Sequence, residues 1–405
     1  VAWGEPADLL VVNACTVTAA AAQKTRQAVR AAHRRCPHAF LAVVGCGTRV
    51  QYRNWATMDA VDLLVPNGPK TGLATYLPET PAHTPGPPRT VATDREALAD
   101  PFTEPGVGLY PNHTRANLKV QEGCDFHCSY CIVPATRGRP RSRAWDDVLR
   151  EAADLIERGH RELVLTGVNL ALYRDGARTL PDLIQAVADL PGEFRLRLGS
   201  VEPGPTVPQL VRTMARNPRV CRFLHLSIQH GDDGILQAMN RRYSVAEFTD
   251  WAALATAEIP GLCLGTDVIA GFPGEDDGAF ARSLETLARL PLGLVHVFSY
   301  SRREGTVAAS LPGQVPSALT VERSRRLRRL AQDKAAGFAR NAIGSVQEVL
   351  VERQNRNGAW EGWTDSYLRA TLTGDPEDRP TAANTLRQVR VTAHLRGREV
   401  TAVPV

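Results

Sequence analysis

The chain contains no uninterrupted apolar run long enough to span a bilayer, so no membrane helix is expected in it. Its first residues lack the charged-then-apolar order of a signal peptide. An initiator methionine is missing too: Val1 and its neighbours lead almost at once into an apolar strand, and a segment upstream is expected. There is little charge imbalance, with 48 Lys plus Arg against 43 Asp plus Glu, so net charge alone points to no partner. Nor is there a need for disulfide staples, because 405 residues can bury two or three proper cores. With no mark of an oxidising compartment, the eight cysteines are available for other chemistry, and a cytoplasmic enzyme or binding protein is expected.

Three of those cysteines, Cys124, Cys128 and Cys131, fall within the stretch Gln121-Glu122-Gly123-Cys124-Asp125-Phe126-His127-Cys128-Ser129-Tyr130-Cys131. A short loop with this spacing can wrap three thiolates around three corners of a 4Fe-4S cube and leave the fourth iron without a protein ligand. An open iron can hold the amino and carboxylate groups of S-adenosylmethionine and pass it an electron. Two plainer readings stand beside this one. Zinc would need a fourth ligand, for which His127 is the nearby candidate, although it is wedged between the cysteines. A disulfide would leave one of the three over.

Ahead of this loop, Asp8-Leu9-Leu10-Val11-Val12-Asn13-Ala14-Cys15 and Phe40-Leu41-Ala42-Val43-Val44-Gly45-Cys46 read as buried strands that each end on a cysteine, with a helix over 19–35 between them. Such a βαβ unit puts Cys15 and Cys46 on the same carboxyl edge of a parallel sheet, where open α/β sheets bind ligands. The competing reading is two small apolar cysteines packed at strand ends. Residues 78–111, rich in Pro, Thr, Ala and Gly, have linker composition.

Beyond the linker, strand patterns at 116–121, 162–166, 195–200, 223–228, 263–269 and 294–299 alternate with helical ones at 145–158, 180–190, 207–216, 245–258 and 277–290. Six strands with crossover helices predict an open (β/α)6 barrel, whose working residues sit where strands end. Gly167-Val168-Asn169, Ser200-Val201-Glu202, Gln229-His230-Gly231-Asp232, Gly271-Phe272-Pro273-Gly274-Glu275 and Tyr300-Ser301-Arg302 form that rim, although each alone is also ordinary turn chemistry. Arg137, Arg139, Arg141 and Arg143 follow the cysteine loop and suit phosphate contacts. Arg323, Arg325, Arg326, Arg328 and Arg329 crowd a helix at 320–341, where a solvated face explains them as well. From Ile343 onward short strands at 346–351, 360–373 and 386–395 predict a small β-barrel. In the last of these, Arg390, Thr392, His394 and Arg396 alternate with packed residues to give a basic face of the kind that binds nucleic acid. Cys221 and Cys263 are expected to be packing residues.

With these pieces in order, the chain resembles the radical S-adenosylmethionine methylthiotransferases over nearly its whole length. The likeness rests on Asn13-Ala14-Cys15-Thr16-Val17-Thr18, on Gly45-Cys46, and on the three-cysteine loop with its arginine-rich tail from Arg137 to Arg143. Leu165-Thr166-Gly167-Val168-Asn169 and Asp267-Val268-Ile269-Ala270-Gly271-Phe272-Pro273-Gly274-Glu275 extend it, and the tail resembles the family's RNA-binding TRAM domain. The implied α/β chain has an incomplete N-terminal methylthiotransferase domain (1–77), a linker (78–111), a radical SAM partial barrel (112–341) and a TRAM-like domain (342–405). Within the family the wording is most like the branch that adds a methylthio group to threonylcarbamoyladenosine beside the tRNA anticodon. Sister branches act on isopentenyl-adenosine in tRNA or on an aspartate of a ribosomal protein.

The resemblance implies that Cys124, Cys128 and Cys131 hold the cluster that cleaves S-adenosylmethionine to a deoxyadenosyl radical. It implies that Cys15 and Cys46 ligate an auxiliary 4Fe-4S cluster whose third cysteine lies upstream, and that a second S-adenosylmethionine gives the methyl group. Tyr130, Gly167, Asn169, Glu202 and Gln229 are expected to hold the cofactor, and Arg137, Arg139, Arg141, Arg143, Arg390 and Arg396 the tRNA. An electron donor and a sulfur source are implied partners. A different radical enzyme on RNA, such as a methylase, and a non-catalytic RNA-binding protein with a structural metal are the rival readings.

Overall fold

The computed structural model describes residues 5–92, 100–104, 106, 113–374 and 382–405. The expected lead-in at 1–4 and the parts of the expected linker at 93–99, 105 and 107–111 lie outside the described residues. The chain divides into two compact units: one gathers the N-terminal segment to Pro105 with Glu122–Arg141 and Ser301–Ser310, the other the rest.

In the first unit, β1 (Leu9–Asn13), α1 (Ala19–Arg35) and β2 (Phe40–Val44) make the expected crossover, and β3 (Leu63–Val65) extends the sheet in parallel. Thr18 caps α1 by accepting from the Ala21 amide at 3.1 Å, worth about 1 kcal/mol. β2 is the central strand and is buried along its whole length, which is why its sequence is continuously apolar rather than alternating. Leu41 and Val43 pack with Val29, Ala32 and Trp55, while Ala42 and Val44 pack with Leu63 and Val65 on the opposite face. Each fully buried aliphatic side chain there contributes about 1.5–3 kcal/mol.

In the second unit six parallel strands follow sequence order: β4 (Arg115–Lys119), β5 (Glu162–Thr166), β6 (Arg195–Leu198, resuming as Ser200–Val201), β7 (Phe223–Leu226), β8 (Cys263–Ala270) and β9 (Leu292–Ser299). The third strand breaks at Gly199, so its first half pairs back with β5 and its second half forward with β7. Helices α2 (Trp145–Glu157), α3 (Leu180–Ala188), α4 (Val207–Arg216), α5 (Val245–Glu258) and α6 (Asp277–Arg289) cover one face through a shared apolar core. One short helix, Asp233–Ala238, was absent from the sequence reading; Asp232 starts it by accepting from the Ile235 amide.

The long helix α7 (Ser317–Asn341) packs on β9, and its arginines divide. Arg323 is buried against Glu275 and Asp277, whereas Arg325, Arg326, Arg328 and Arg329 are exposed. A closed five-strand barrel follows, in the order β10 (Val346–Gln354), β11 (Trp360–Thr364), β12 (Arg369–Leu372), β14 (Glu399–Pro404) and β13 (Thr385–Arg396). The single strand expected over 360–373 is thus a hairpin of two, and β14, unforeseen, closes the ring. The expected alternation along β13 also fails in its second half. Val389 and Val391 are buried, but bulges after Val391 and His394 shift the register, leaving Ala393 and Leu395 exposed.

This barrel is tied to β5 and β6 by one buried charge network. Glu162, fully buried, takes Arg195 and Arg197, each through a bond of 2.7 Å. The remaining guanidinium protons go to the backbone oxygens of Glu348, Trp363, Thr364 and Asp365. Burial would push the Glu162 carboxyl up, but the two guanidiniums outweigh it and hold it at about 2.

Candidate functional site

In the first unit the three-cysteine loop is closed at a neck. Gly123 has φ +72°, and a Cβ there would lie 1.9 Å from the Arg139 carbonyl oxygen, so only glycine lets the returning chain pass. Beside it the Cys124 amide donates to the Gly138 oxygen at 3.1 Å. Between these ends His127 takes φ +48°, the Cys131 amide donates to the Cys128 oxygen at 2.9 Å, and the Val133 amide donates to Cys131 Sγ at 3.5 Å. All three thiols are half-buried, and none of the eight cysteines forms a disulfide. Among the described residues no three His, Cys, Asp or Glu side chains converge as a single metal ion would require. A cubane asks for a wider set, one thiolate on each of three irons, and an all-thiolate donor set on one loop fits it.

Cys15 and Cys46 emerge together on the carboxyl edge of the parallel sheet. The Gly47 amide donates to the Ala14 oxygen at 3.0 Å, and Gly45, at φ +97°, passes so close to Asn13 that a Cβ would lie 2.4 Å from its side-chain oxygen. Cys15 is exposed and Cys46 half-buried. The two thiol sets meet through Arg137, whose Nε donates to Cys46 Sγ at 3.2 Å and whose Nη1 donates to Glu122 at 2.9 Å. Burial works against its charge, but Glu122 and Cys46 outweigh it and raise its pKa. The segment Ser301–Ser310 touches both sets: the Ala308 amide donates to the Ser129 oxygen at 2.7 Å, and Arg303 Nη2 donates to Thr16 Oγ1 at 2.7 Å. An open cavity of about 780 Å³ is lined by Arg302, Glu304, Thr306 and Val307 of that segment.

The arginine-rich tail does not present itself as a stripe. Arg137 is engaged as just described, and Arg139 is exposed. Arg143 is fully buried, paired with Asp147 at 2.6 Å and with Glu151, and Arg141 is buried with its guanidinium 5.2 Å from the Phe102 ring centroid. The expectation that Arg141 and Arg143 face a nucleic acid is therefore corrected: burial takes both from any phosphate. Arg390 and Arg396 are exposed on β13, Arg396 beside Glu399.

In the second unit the polar residues expected on the rim do follow the carboxyl ends of the strands. Gly167 and Asn169 are fastened through Gln121, whose Oε1 accepts from the Val168 and Asn169 amides at 3.0 and 2.8 Å. The Asn169 side chain is buried and accepts from the Ala171 amide. Glu202 is paired with Arg241; burial pushes its carboxyl up, with Arg241 and Arg242 opposing. Gln229 takes φ +66° and bridges to β8, its amide donating to the Asp267 oxygen at 2.9 Å.

The sequence reading missed a polar group on neighbouring strands, His225, Ser227, Asp267 and His296. Ser227 Oγ donates to Asp267 at 2.8 Å, and His225 Nε2 approaches Asp267 to 3.2 Å at an angle poor for hydrogen bonding. Burial would raise the Asp267 carboxyl, but His225 and Ser227 hold it below its usual range; His296 is pushed down by burial and by His225. The available signal was register: Asp267 sits opposite His296, and His225 opposite Gly265 two residues earlier on the same face.

The match to known proteins bears on both units. Residues 118–287 match the model of the Radical SAM superfamily, and residues 1–66 that of uncharacterized protein family UPF0004. A radical S-adenosylmethionine methyltransferase from Kitasatospora setae, solved with tryptophan and a S-adenosylmethionine analogue, shares the fold at a TM-score of 0.54 and 17% identity, over 72% of this chain and 62% of that one. The six-strand unit is thus a radical SAM fold.

The threonylcarbamoyladenosine tRNA methylthiotransferase of Chlamydia pneumoniae is 34% identical over 86% of this chain and 78% of its own length. A tRNA-2-methylthio-N(6)-dimethylallyladenosine synthase of Aquifex aeolicus is 32% identical over 92% and 85%, and a ribosomal protein uS12 methylthiotransferase of Pelotomaculum thermopropionicum 34% over 87% and 80%. The chain belongs to the radical S-adenosylmethionine methylthiotransferase family. It is a radical SAM transferase, a class that implies a 4Fe-4S cluster and S-adenosylmethionine. Among the described residues no helix is long and apolar enough to cross a membrane.

Proposed function

We propose that this enzyme installs a methylthio group on threonylcarbamoyladenosine in tRNA. The observation that carries the reading is the pairing of two thiol sets in one compact unit, with Arg137 bonded to Cys46 from the far end of the three-cysteine loop. A methylthiotransferase must both activate a C–H bond and deliver sulfur, and two thiol sets supply two such centres. The choice of substrate follows relatives such as that of Chlamydia pneumoniae, whose activity is on threonylcarbamoyladenosine.

In this reading Cys124, Cys128 and Cys131 hold the 4Fe-4S cluster, which when bound supplies the electron that splits S-adenosylmethionine into methionine and the radical that takes hydrogen from adenine. Cys15 and Cys46 hold the auxiliary cluster. Gln121 fixes the Gly167–Asn169 turn, which with Glu202 and Gln229 receives the cofactor. Arg137 positions Cys46. Arg139, Arg390 and Arg396 bind phosphate, and 342–405 serves as a TRAM-like RNA-binding module beside the barrel at 112–341.

Nucleoside mass spectrometry of tRNA from cells lacking the gene tests this. Loss of the methylthio group from threonylcarbamoyladenosine alone is expected. Loss from isopentenyl-adenosine, or from a ribosomal protein, contradicts the substrate assignment.

A further inference from the structure

The segment Ser301–Ser310 is fastened to both thiol-bearing parts of the first unit. Ser301 Oγ accepts from the Ala19 amide, at the start of α1, at 3.0 Å, and Arg303 Nη2 donates to Thr16 Oγ1, next to Cys15, at 2.7 Å. Further on, the fully buried Ala308 donates its amide to the Ser129 oxygen, inside the three-cysteine loop, at 2.7 Å. Held at these points, the stretch alternates as extended chain does: Arg303 is buried, whereas Arg302 and Glu304 on either side of it are exposed. Arg302, Glu304, Val307 and Ala309 all line the open cavity of about 780 Å³, and Val307 is 63% exposed there. Among the described residues neither Arg302 nor Glu304 is paired with an opposite charge. One short wall thus offers an accessible guanidinium, a carboxylate and an apolar surface. The cavity has the volume of a small-ligand pocket, about 300–1,000 Å³, which admits a modified nucleoside.

We propose that this wall reads the substituent on the target adenosine, with Arg302 the specificity residue that binds its carboxylate. The proposal rests on the threonylcarbamoyladenosine reading above. That substituent ends in a threonine, which carries a carboxylate, a hydroxyl and a methyl group. The planar fork of Arg302 suits the carboxylate, the Glu304 carboxylate can accept from the hydroxyl, and Val307 and Ala309 give the methyl an apolar contact. An isopentenyl group could use only the apolar part. Location supports the match, because methylthio transfer brings one adenine carbon to the radical and to the sulfur in turn. The nucleoside therefore lies near both thiol sets, and this segment borders both. Charge recognition also gives the sharper choice: a site built to bond a polar group rejects the analogue without it more strongly than an apolar pocket can.

The test is anaerobic fluorescence anisotropy of the full-length, iron-reconstituted chain with three synthetic anticodon stem-loops that differ only at the target adenosine. One carries threonylcarbamoyl, one its neutral carboxamide analogue and one isopentenyl. The unaltered protein should bind the first about tenfold tighter than the other two, the worth of a charge-assisted hydrogen bond. Arg302→Gln should bind the threonylcarbamoyl and carboxamide RNAs equally, since the residue and the ligand charge are then two halves of one lost contact. Arg302→Lys keeps the charge and should recover part of the preference; iron content and melting profile serve as the folding controls. A carboxylate preference that survives Arg302→Gln overturns the subsite. Equal weakening of all three RNAs also overturns it, because Arg302 would then be a contact to backbone phosphate. Preference of the unaltered protein for the isopentenyl RNA contradicts the substrate reading itself, so the two failures give different results.

Discussion

Cys46 and Cys221 each lie beside arginine, one in each compact unit, yet their surroundings point to opposite fates. Cys46 is half-buried at a strand end and accepts from Arg137. Cys221 is buried, and although Arg197 and Arg195 are near, burial pushes its thiol up to about 12. The charge of those two guanidiniums is matched by Glu162 instead. Cys263, also buried, is pushed up to about 12 in the same way. A guanidinium next to sulfur does not by itself make a ligand. Access does, because Arg137 too has a carboxylate at hand in Glu122, and access is what separates the thiols of the first unit from Cys221 and Cys263.

The largest expected effect breaks this contrast from the reactive side. Cys128→Ala should remove about four irons per chain and reduce deoxyadenosine formation to background. Cys221→Ala should leave both unchanged, and equal iron loss in the two variants would erase the distinction. On the inert side, Glu162→Gln strands two buried guanidiniums and should cost about 3–5 kcal/mol, read as a lowered denaturation midpoint. Its pH signature has a defined sign. The folded carboxyl sits at about 2 against an ordinary 4.5, so its contribution is present above 4.5 and is lost as pH falls towards 2. The Gln variant should lack that part of the acid transition, and an unaltered acid profile would show that the network is not held by Glu162.

Gly123→Ala comes next. With φ +72° and the Arg139 oxygen in the way, it should strain the neck of the loop by about 1–3 kcal/mol. Iron content should fall while Cys263 stays resistant to alkylation; intact iron would mean that the neck does not set the thiols. The smallest effect belongs to the exposed strand β13. Arg390→Gln and Arg396→Gln should each weaken tRNA binding a few-fold and lower the salt slope by about one. Arg143→Gln should instead act on stability. A stronger tRNA defect from Arg143→Gln would reverse the burial argument.

What could be read from the sequence was local. Cys124, Cys128 and Cys131 share one loop, so their spacing alone carried the cube; β2 announced itself as a continuous apolar run. Contacts made by distant segments were out of reach. Nothing near Arg137 in sequence shows that it bonds Cys46, 91 residues away, or that Arg303 reaches Thr16 across 287. Arg143 was misread because its partners Asp147 and Glu151 lie four and eight residues on, at helical spacing along α2, and hold it in the interior. β13 was misread because a bulge cancels alternation without any mark in composition. The His225, Asp267 and His296 group needed the strand register, which only pairing fixes.

The central claim is that the two thiol sets do separate jobs. It is tested most directly by incubating the Cys15→Ala/Cys46→Ala variant with S-adenosylmethionine, reductant, sulfide and tRNA bearing threonylcarbamoyladenosine, and resolving all products by mass spectrometry. Deoxyadenosine should still form while no methylthio nucleoside appears. Methylthiolated tRNA from that variant would contradict the account.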